Sequence, residues 1–418
     1  MTGYLPHKSL EEVAGRSRTG VDPAAAEVAA AILNRLETGG EAALRSLVDE
    51  FDELPEGMKP VLIADDLKAA LASLPSDDQV RLERIAARIR AFAEAQLATI
   101  GDLDGVAVPG GRAGHTVAPV DRAGCYAPGG RYPLPSSVLM TAITARVAGV
   151  SEVWVASPRP APITLAAAAV AGADGFLVAG GAHAIGALAL GIGGPPRCDV
   201  IVGPGNAYVT AAKQLVYGRV GIDMLAGPSE LVVLADATAD PAVVAADLIA
   251  QAEHDPAALP VLVTADPGLA ERVQRQVADQ LAGLATADIA APALEGGATI
   301  VVSDLAAGIA ACNAIAPEHL QLSVTDPAAA RRELRHYGAV FQGEGSAEVF
   351  GDYGVGPNHV LPTGGTARFS GGLSVLTFLR MRTWLEIDPT DEVLDDTAWL
   401  ARQEGLEGHA RASEQRRR

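Results

Sequence analysis

CDVIVGPGNAYVTAAKQLVYGRVGIDMLAGPSEL, residues 198–231, decides the fold, because two glycine-proline turns bracket one amphipathic segment. The run 199–202 predicts a short strand, and apolar residues at helical spacing after the first turn predict a helix. A second apolar run, 220–224, predicts a strand that leads into the turn 227–230. Such turns beyond strand ends gather ligands in open α/β sheets. From this stretch alone, a ligand site and two plain connections are equally good interpretations.

The same alternation of strand and helix continues on both sides of this stretch. Strands are predicted at 152–156 and 175–178, with a helix at 163–171 between them. This pattern predicts an α/β fold with two doubly wound, Rossmann-like domains, a helical N-terminal part and a C-terminal helical tail. No intact GxGxxG follows any of these strands, so the usual dinucleotide fingerprint is absent.

We divide the chain into four parts on this basis. They are an N-terminal segment (1–20), a first, discontinuous α/β domain (21–122 plus 231–372), a second α/β domain (123–230) and a C-terminal tail (373–418).

Composition limits the possible functions. The 418 residues carry 32 Lys and Arg against 51 Asp and Glu, a net charge of −19, without the basic stripe that nucleic-acid binding needs. Three widely separated cysteines argue against a disulfide framework and favour a reducing compartment. The N-terminus does not resemble a secretory signal, and the most apolar stretch, 163–181, contains Asp174 and does not resemble a membrane span. We therefore expect a cytoplasmic protein.

One set of polar residues could hold a metal ion. Gln251 and His254 are three apart on a predicted helix, so their side chains share a face. Asp352 in a glycine-rich turn and His409 in the helical tail would complete a four-ligand set of nitrogen and oxygen donors. On spacing alone, capping of the helix end by Gln251 and His254 is the favoured interpretation.

Glu318 and His319 form an adjacent pair at the start of a predicted apolar strand. Neighbours on an extended chain point to opposite sides, so we expect the two side chains to reach different atoms. A glutamate shielded from water can act as a general base, and a neutral imidazole can accept a proton near pH 7. From these two residues alone, a solvated turn is slightly favoured.

The sequence motifs around these residues occur together in one chain and in a defined order. Eight motifs follow one another in the order GCYAPGG, VLMTAITARVAGV, CDVIVGPGNAYVTAAKQLV, VGIDMLAGPSE, QAEHDP, APEHLQL, GDYGVGPNHVLPTGGTAR and EGLEGHA. With these motifs the chain resembles the histidinol dehydrogenase family from about residue 25 onward. The resemblance implies a homodimer with shared active sites that oxidises L-histidinol to L-histidine in two NAD-dependent steps through an aldehyde. It implies one zinc ion per subunit.

The resemblance also implies roles for individual residues. Zinc ligands would be Gln251, His254, Asp352 and His409, and the zinc would mainly hold the substrate. His319 would take the alcohol proton, and Glu318 would activate water for the second step. Contacts to NAD would come from 123–230, namely Tyr126, His183 and Asn206. Substrate contacts would be Ser229, Gln251, His254, His319, Asp352, His359, Glu404 and His409, with Glu404 and His409 reaching the partner subunit.

Two departures from the family pattern leave alternatives open. His183 stands where the family commonly has glutamine, which bears on the cofactor contact. Arg131 and Tyr132 match relatives that oxidise sulfonated diols, so a sulfonated diol or an amino alcohol is an alternative substrate. A zinc hydrolase with Glu318 as base, and a relative that only binds ligand, are competing hypotheses from other classes.

Overall fold

The protein is described by a computed structural model over residues 3–15, 21–129 and 132–417. The helices are α1 (Leu10–Ala14), α2 (Pro23–Glu50), α3 (Ala64–Ala72), α4 (Ser76–Leu97), α5 (Pro135–Val147), α6 (Pro162–Ala171), α7 (Gly181–Leu190), α8 (Ala207–Val216), α9 (Pro241–Ala252), α10 (Pro267–Leu281), α11 (Ala287–Gly296), α12 (Leu305–Ile315), α13 (Pro327–Glu333), α14 (Glu348–Asp352), α15 (Asp391–Gln403) and α16 (Glu407–Glu414). The strands are β1 (Val61–Ile63), β2 (Leu103–Val108), β3 (Gly111–Pro119), β4 (Arg122–Tyr126), β5 (Glu152–Ala156), β6 (Gly175–Leu177), β7 (Val200–Val202), β8 (Gly221–Ile222), β9 (Glu230–Ala235), β10 (Leu259–Thr264), β11 (Ala298–Val301), β12 (His319–Ser323), β13 (Ala339–Gln342) and β14 (Leu379–Ile387).

Two parallel sheets form the body of the protein. The first sheet has the order β1-β6-β5-β4-β7-β8 and is parallel except for β1, which runs antiparallel to β6. The second sheet has the order β11-β10-β9-β12-β13 and is parallel throughout its described strands. Helices connect successive strands, as parallel pairing requires. The predicted α/β class with two doubly wound sheets is confirmed.

The helical N-terminal part packs on the first sheet. Strand β1 forms the edge of this sheet beside β6, and Leu82 and Ile89 of α4 lie in the same buried cluster as Phe176 and Phe378. The predicted grouping of 21–122 with 231–372 is therefore wrong. An amphipathic helix shows in its sequence that it has a buried face, but not which sheet covers that face.

The N-terminal segment belongs to the second sheet. The Leu5 N–H donates to the Leu294 carbonyl at 2.8 Å, and His7 forms a bridge with Thr299 beside β11. Leu5 and Val13 are fully buried in the two clusters that cover this sheet. The chain therefore starts on the second sheet, builds the first, and returns to the second at β9.

The C-terminal tail begins with a strand before it becomes helical. β14 pairs antiparallel with β3 along its whole length, from Leu379 opposite Pro119 to Ile387 opposite Gly111, and β2 completes this third sheet. Helices α15 and α16 follow and pack on each other. The predicted helical tail is confirmed for 391–414 and corrected for 379–387. Among the described residues, none of the helices combines the length and apolar character that crossing a membrane would require.

Candidate active site

The segment that joins the two sheets carries the centre of the site. It leaves the carboxyl end of β8 and enters β9 at Glu230, directly after Ser229. Strand β12 lies beside β9 with His319 opposite Leu231, so the Glu318-His319 pair lies at the amino ends of the second sheet. Only the first sheet follows the expectation that ligand-binding turns lie beyond the carboxyl ends of strands.

Glu318 is a buried carboxylate. Its side chain is 8% exposed, and its Oε2 accepts a hydrogen bond from the Glu230 N–H at 2.8 Å. Burial raises the pKa of Glu318 well above its ordinary value, because removal from water disfavours the charged form. The solvated turn that the sequence slightly favoured is excluded.

His319 is held in a defined orientation. Its Nδ1 lies 3.1 Å from the Glu230 carbonyl oxygen, which only accepts, so Nδ1 carries the proton and donates. In the neutral ring Nε2 is then an acceptor, and it is buried with no hydrogen-bond partner in the described part of the chain. Burial lowers the pKa of His319 and favours the neutral imidazole, whose Nε2 can accept a proton. Its Nδ1 is 3.6 Å from Glu318 Oε2, so the two side chains converge rather than point to opposite sides as predicted.

Three of the four predicted metal ligands lie on, or directly after, two contacting helices, α9 and α14. Gln251 on α9 is fully buried, and neither polar atom of its amide has a hydrogen-bond partner among the residues that the structure describes. His254 follows α9 with its Nε2 3.6 Å from Oδ2 of Asp352, the last residue of α14. The other oxygen of Asp352 lies 3.8 Å from His319 Nε2.

These atoms fit a metal ion better than they fit a helix cap. A buried amide without partners costs about 1–3 kcal/mol unless something binds it. The Gln251 side chain makes no capping hydrogen bond in the described structure, so the capping interpretation is excluded for it. Contact with Asp352 raises the pKa of His254. Burial alone would raise the pKa of Asp352, but the neighbouring His254 and His319 favour its charged form, so the pKa of Asp352 is lowered. A carboxylate, an imidazole and a free amide oxygen are suitable zinc donors.

The fourth predicted ligand is elsewhere in the same chain. His409 on α16 and Glu404 at the end of α15 are exposed. No group of three or more His, Cys, Asp or Glu side chains suited to a metal occurs among the residues that the structure describes.

His359 and Ser229 border the same region. The His359 Nε2 is buried without a partner, and burial lowers the pKa of its ring. The preceding residue, Asn358, anchors the loop by donating to the Met140 carbonyl at 2.9 Å. Ser229 is half-buried in the turn between the sheets, and its carbonyl accepts from the Leu259 N–H at 3.0 Å.

The predicted cofactor contacts lie at the carboxyl ends of the first sheet. Tyr126 ends β4 and its hydroxyl accepts from the Gly181 N–H at 3.2 Å. Asn206 caps α8, with its Oδ1 accepting from the N–H groups of the second and third helical residues, which leaves its amide N–H groups to donate to a ligand. His183 lies buried in the first turn of α7. Tyr132 is 49% exposed, and Arg131 lies outside the described residues.

A buried ion pair, which the sequence did not predict, holds the glycine-proline turn 203–206 beside the proposed cofactor contacts. Lys213 on α8 and Asp223 after β8 form a salt bridge with 3% and 0% of their side chains exposed. Lys213 also donates to the Gly203 carbonyl at 3.0 Å, and Asp223 accepts from the Gly203 N–H at 2.7 Å. The sequence signal is a lysine on the otherwise apolar face of a helix. The pair fixes the glycine-proline turn before Asn206.

A buried carboxylate and a buried imidazole side by side are groups that general acid–base catalysis uses, and the comparisons with known proteins specify the class of enzyme. A family model described as "Histidinol dehydrogenase" matches residues 15–417. The chain is 46% identical to the histidinol dehydrogenase of Thermus thermophilus, over 98% of this chain and 99% of that protein. It is 44% identical to that of Nitrosomonas europaea, over 92% and 91%. The crystal structure of histidinol dehydrogenase from Elizabethkingia anophelis matches with a TM-score of 0.86 and 33% identity, over 93% of this chain and 91% of that chain.

The protein is thus an enzyme of the NAD-dependent dehydrogenase type. It belongs to the histidinol dehydrogenase family, as the order of its motifs predicted.

The buried ion pair gives a stability prediction. Replacing Lys213 by Met leaves the Asp223 carboxylate buried without its cation, so we expect the free energy of unfolding to fall by about 3–5 kcal/mol. The control, Lys68→Met, removes an exposed pair with Asp65 (74% and 85% exposed) and should cost at most about 1 kcal/mol. Urea denaturation followed by tryptophan fluorescence measures both. Equal losses in the two variants would contradict the assigned role.

Proposed function

We propose that the protein oxidises L-histidinol to L-histidine in two successive NAD-linked steps through histidinal, with one zinc ion per subunit, at the end of histidine biosynthesis. The observation that carries the proposal is the buried Glu318-His319 pair beside Asp352, in a chain of this family. The three cysteines are free thiols inside the fold, which supports a reducing, cytoplasmic setting.

Gln251, His254 and Asp352 of one subunit would hold the zinc ion together with the partner subunit's His409. The unpartnered amide of Gln251 and the close approach of His254 to Asp352 support this set. When bound, the zinc supplies a positive template for the amine and imidazole of the substrate. Exposure of His409 and Glu404 in the single chain supports their use by a partner, in a homodimer with shared sites.

The first oxidation needs one base. The Nε2 of His319, which has no hydrogen-bond partner among the described residues, would accept the hydroxyl proton of the alcohol while the carbon that bears the hydroxyl loses hydride to NAD, giving aldehyde, NADH and a proton. The Glu230 carbonyl holds the opposite ring nitrogen, so Nε2 stays the accepting atom. Ser229 and His359 would position the substrate beside this atom.

The second oxidation needs water as the nucleophile. Glu318 would remove a proton from water as the water oxygen attacks the aldehyde carbon, and the resulting hydrate would then lose hydride to a second NAD. The products are carboxylate, NADH and two protons. The raised pKa of Glu318 makes it a stronger base than an exposed glutamate, which suits this role.

On the cofactor side, Tyr126, His183 and Asn206 would contact NAD at the carboxyl ends of β4, β6 and β7. The free amide N–H groups of Asn206 and the nearby start of α7 support this position.

The test of the proposed function compares substrates. NADH formation should be fast with histidinol, should be at least about a hundredfold slower with dihydroxypropane sulfonate, and should stop when a chelator removes the metal. Reversed preference would instead favour the diol alternative that Arg131 and Tyr132 raise. Turnover of a hydrolysable substrate without NAD would support the hydrolase hypothesis. The absence of any turnover by zinc-loaded protein would support a relative that only binds ligand.

Glu318→Gln should separate the two steps. We expect aldehyde oxidation to slow by about 10²–10⁴-fold because the base is lost, while alcohol oxidation continues and one NADH forms per site in a burst. In the unchanged enzyme the rate with added aldehyde should rise with pH through the raised pKa of Glu318, since only the ionised form accepts a proton, and the variant should lack this rise. Stopped-flow NADH absorbance measures both. Glu333→Gln, an exposed carboxylate, is the control, and equal slowing of both steps would contradict the assignment.

Shared sites can be tested by complementation. His254→Ala and His409→Ala are each expected to be inactive alone. Co-expression should restore about a quarter of the activity, because about half of the dimers are mixed and each mixed dimer has one intact site. The control pair, His254→Ala with Asp352→Ala, should restore nothing, because both ligands come from the same subunit. Equal inactivity of the two mixtures would show that the sites are not shared.

A further inference from the structure

Glu53 lies buried against the start of α7, far in sequence from the residues it contacts. It follows α2 and is 7% exposed. Its Oε2 accepts from the Gly180 N–H at 2.7 Å and lies 2.7 Å from His183 Nε2. A side chain at Gly180 would bring a Cβ within 2.7 Å of Glu53 Oε1, so the glycine makes room for the carboxylate.

The contact with Glu53 selects one tautomer of His183. A carboxylate only accepts, so Nε2 carries the proton and donates, and in the neutral ring Nδ1 is an acceptor. Phe51 stacks on the imidazole with a centroid separation of 5.4 Å and an angle of 8° between the rings, which holds the ring orientation. His183 is 2% exposed, and its Nδ1 has no hydrogen-bond partner among the described residues.

The free nitrogen faces the turn that opens α7. A Cβ built on Gly181 would lie 3.7 Å from His183 Nδ1, and the Gly181 N–H is the group bound by the Tyr126 hydroxyl. An acceptor therefore lies within the region of the proposed cofactor contacts. Its partner must be a donor, such as a hydroxyl group.

Glu53 also changes the electrostatics of this helix start. The N-terminus of a helix normally favours an anionic ligand, because its free N–H groups and dipole are positive. Here the Gly180 N–H is already bound by the protein's own carboxylate. An additional phosphate group would meet that negative charge in a buried setting, where charges are poorly screened.

We infer that Glu53 and His183 select NAD over NADP: His183 Nδ1 accepts a hydrogen bond from a ribose hydroxyl, and Glu53 repels a phosphate in the same place. This inference rests on the proposed binding of NAD at the carboxyl ends of the first sheet. The 2′-phosphate of NADP carries close to two negative charges and replaces the donor hydroxyl with acceptor oxygens. Glu53 is thus a positioning and specificity residue that acts through His183 and the start of α7.

Isothermal titration of the full-length protein with NAD and with NADP tests the inference. The unchanged protein should bind NAD at least about a hundredfold more tightly than NADP. Glu53→Gln keeps an acceptor for Gly180 but loses the charge and the fixed tautomer. This substitution should lower the affinity for NAD about tenfold and raise the affinity for NADP about tenfold, so that most of the preference for NAD disappears. Glu50→Gln, an exposed carboxylate paired with Arg35, is the matched control and should change neither.

The outcomes separate this inference from the proposed function. If the unchanged protein binds neither nucleotide, the proposed function fails. If it binds NAD but Glu53→Gln leaves the ratio of the two affinities unchanged, the inference is overturned and the proposed function stands. A loss of both affinities in equal proportion would show a purely structural role and also overturn it. If Glu53→Gln does not fold, the same titrations are made with His183→Ala. In that variant the affinity for NAD should fall and the affinity for NADP should stay unchanged.

Discussion

The backbone of Glu230 holds both members of the buried pair. Its N–H donates to Glu318 at 2.8 Å, and its carbonyl oxygen lies 3.1 Å from His319 Nδ1. Glu230 can do this because it opens β9 while His319 opens the neighbouring parallel strand β12. The register between these two central strands therefore fixes the positions of Glu318 and His319 relative to the Glu230 backbone. Ser229, one residue earlier, is placed in the site by the same register.

Burial of this pair has an energetic cost that the rest of the fold must offset. Glu318 has a raised pKa, so its contribution to stability is present below its unfolded pKa and is lost as the pH rises through its folded pKa. His319 has a lowered pKa, so its contribution is lost as the pH falls through the folded value. The unpartnered amide of Gln251 adds a further cost. Such costs are typical of sites that are completed by a ligand.

Sequence patterns predicted the parts of the structure that depend on local order. Strand and helix alternation gave the two parallel sheets, and the motifs gave the polar residues that meet around Asp352. Sequence could not show that β1 adds to β6, because three residues carry no readable period. It missed Glu53 and its contact with His183, which are separated by 130 residues. It also could not show that His409 is exposed on the C-terminal tail while Gln251 is buried, since sequence spacing does not place separate elements in space.

The central claim is that one site carries out both oxidations. The most direct test is the ratio of products when limiting histidinol is consumed by zinc-loaded protein with excess NAD. If His319 and Glu318 serve successive steps at one position, as proposed, two NADH and one histidine form for each histidinol and no free aldehyde accumulates. One NADH per histidinol, with histidinal as the final product, would contradict it.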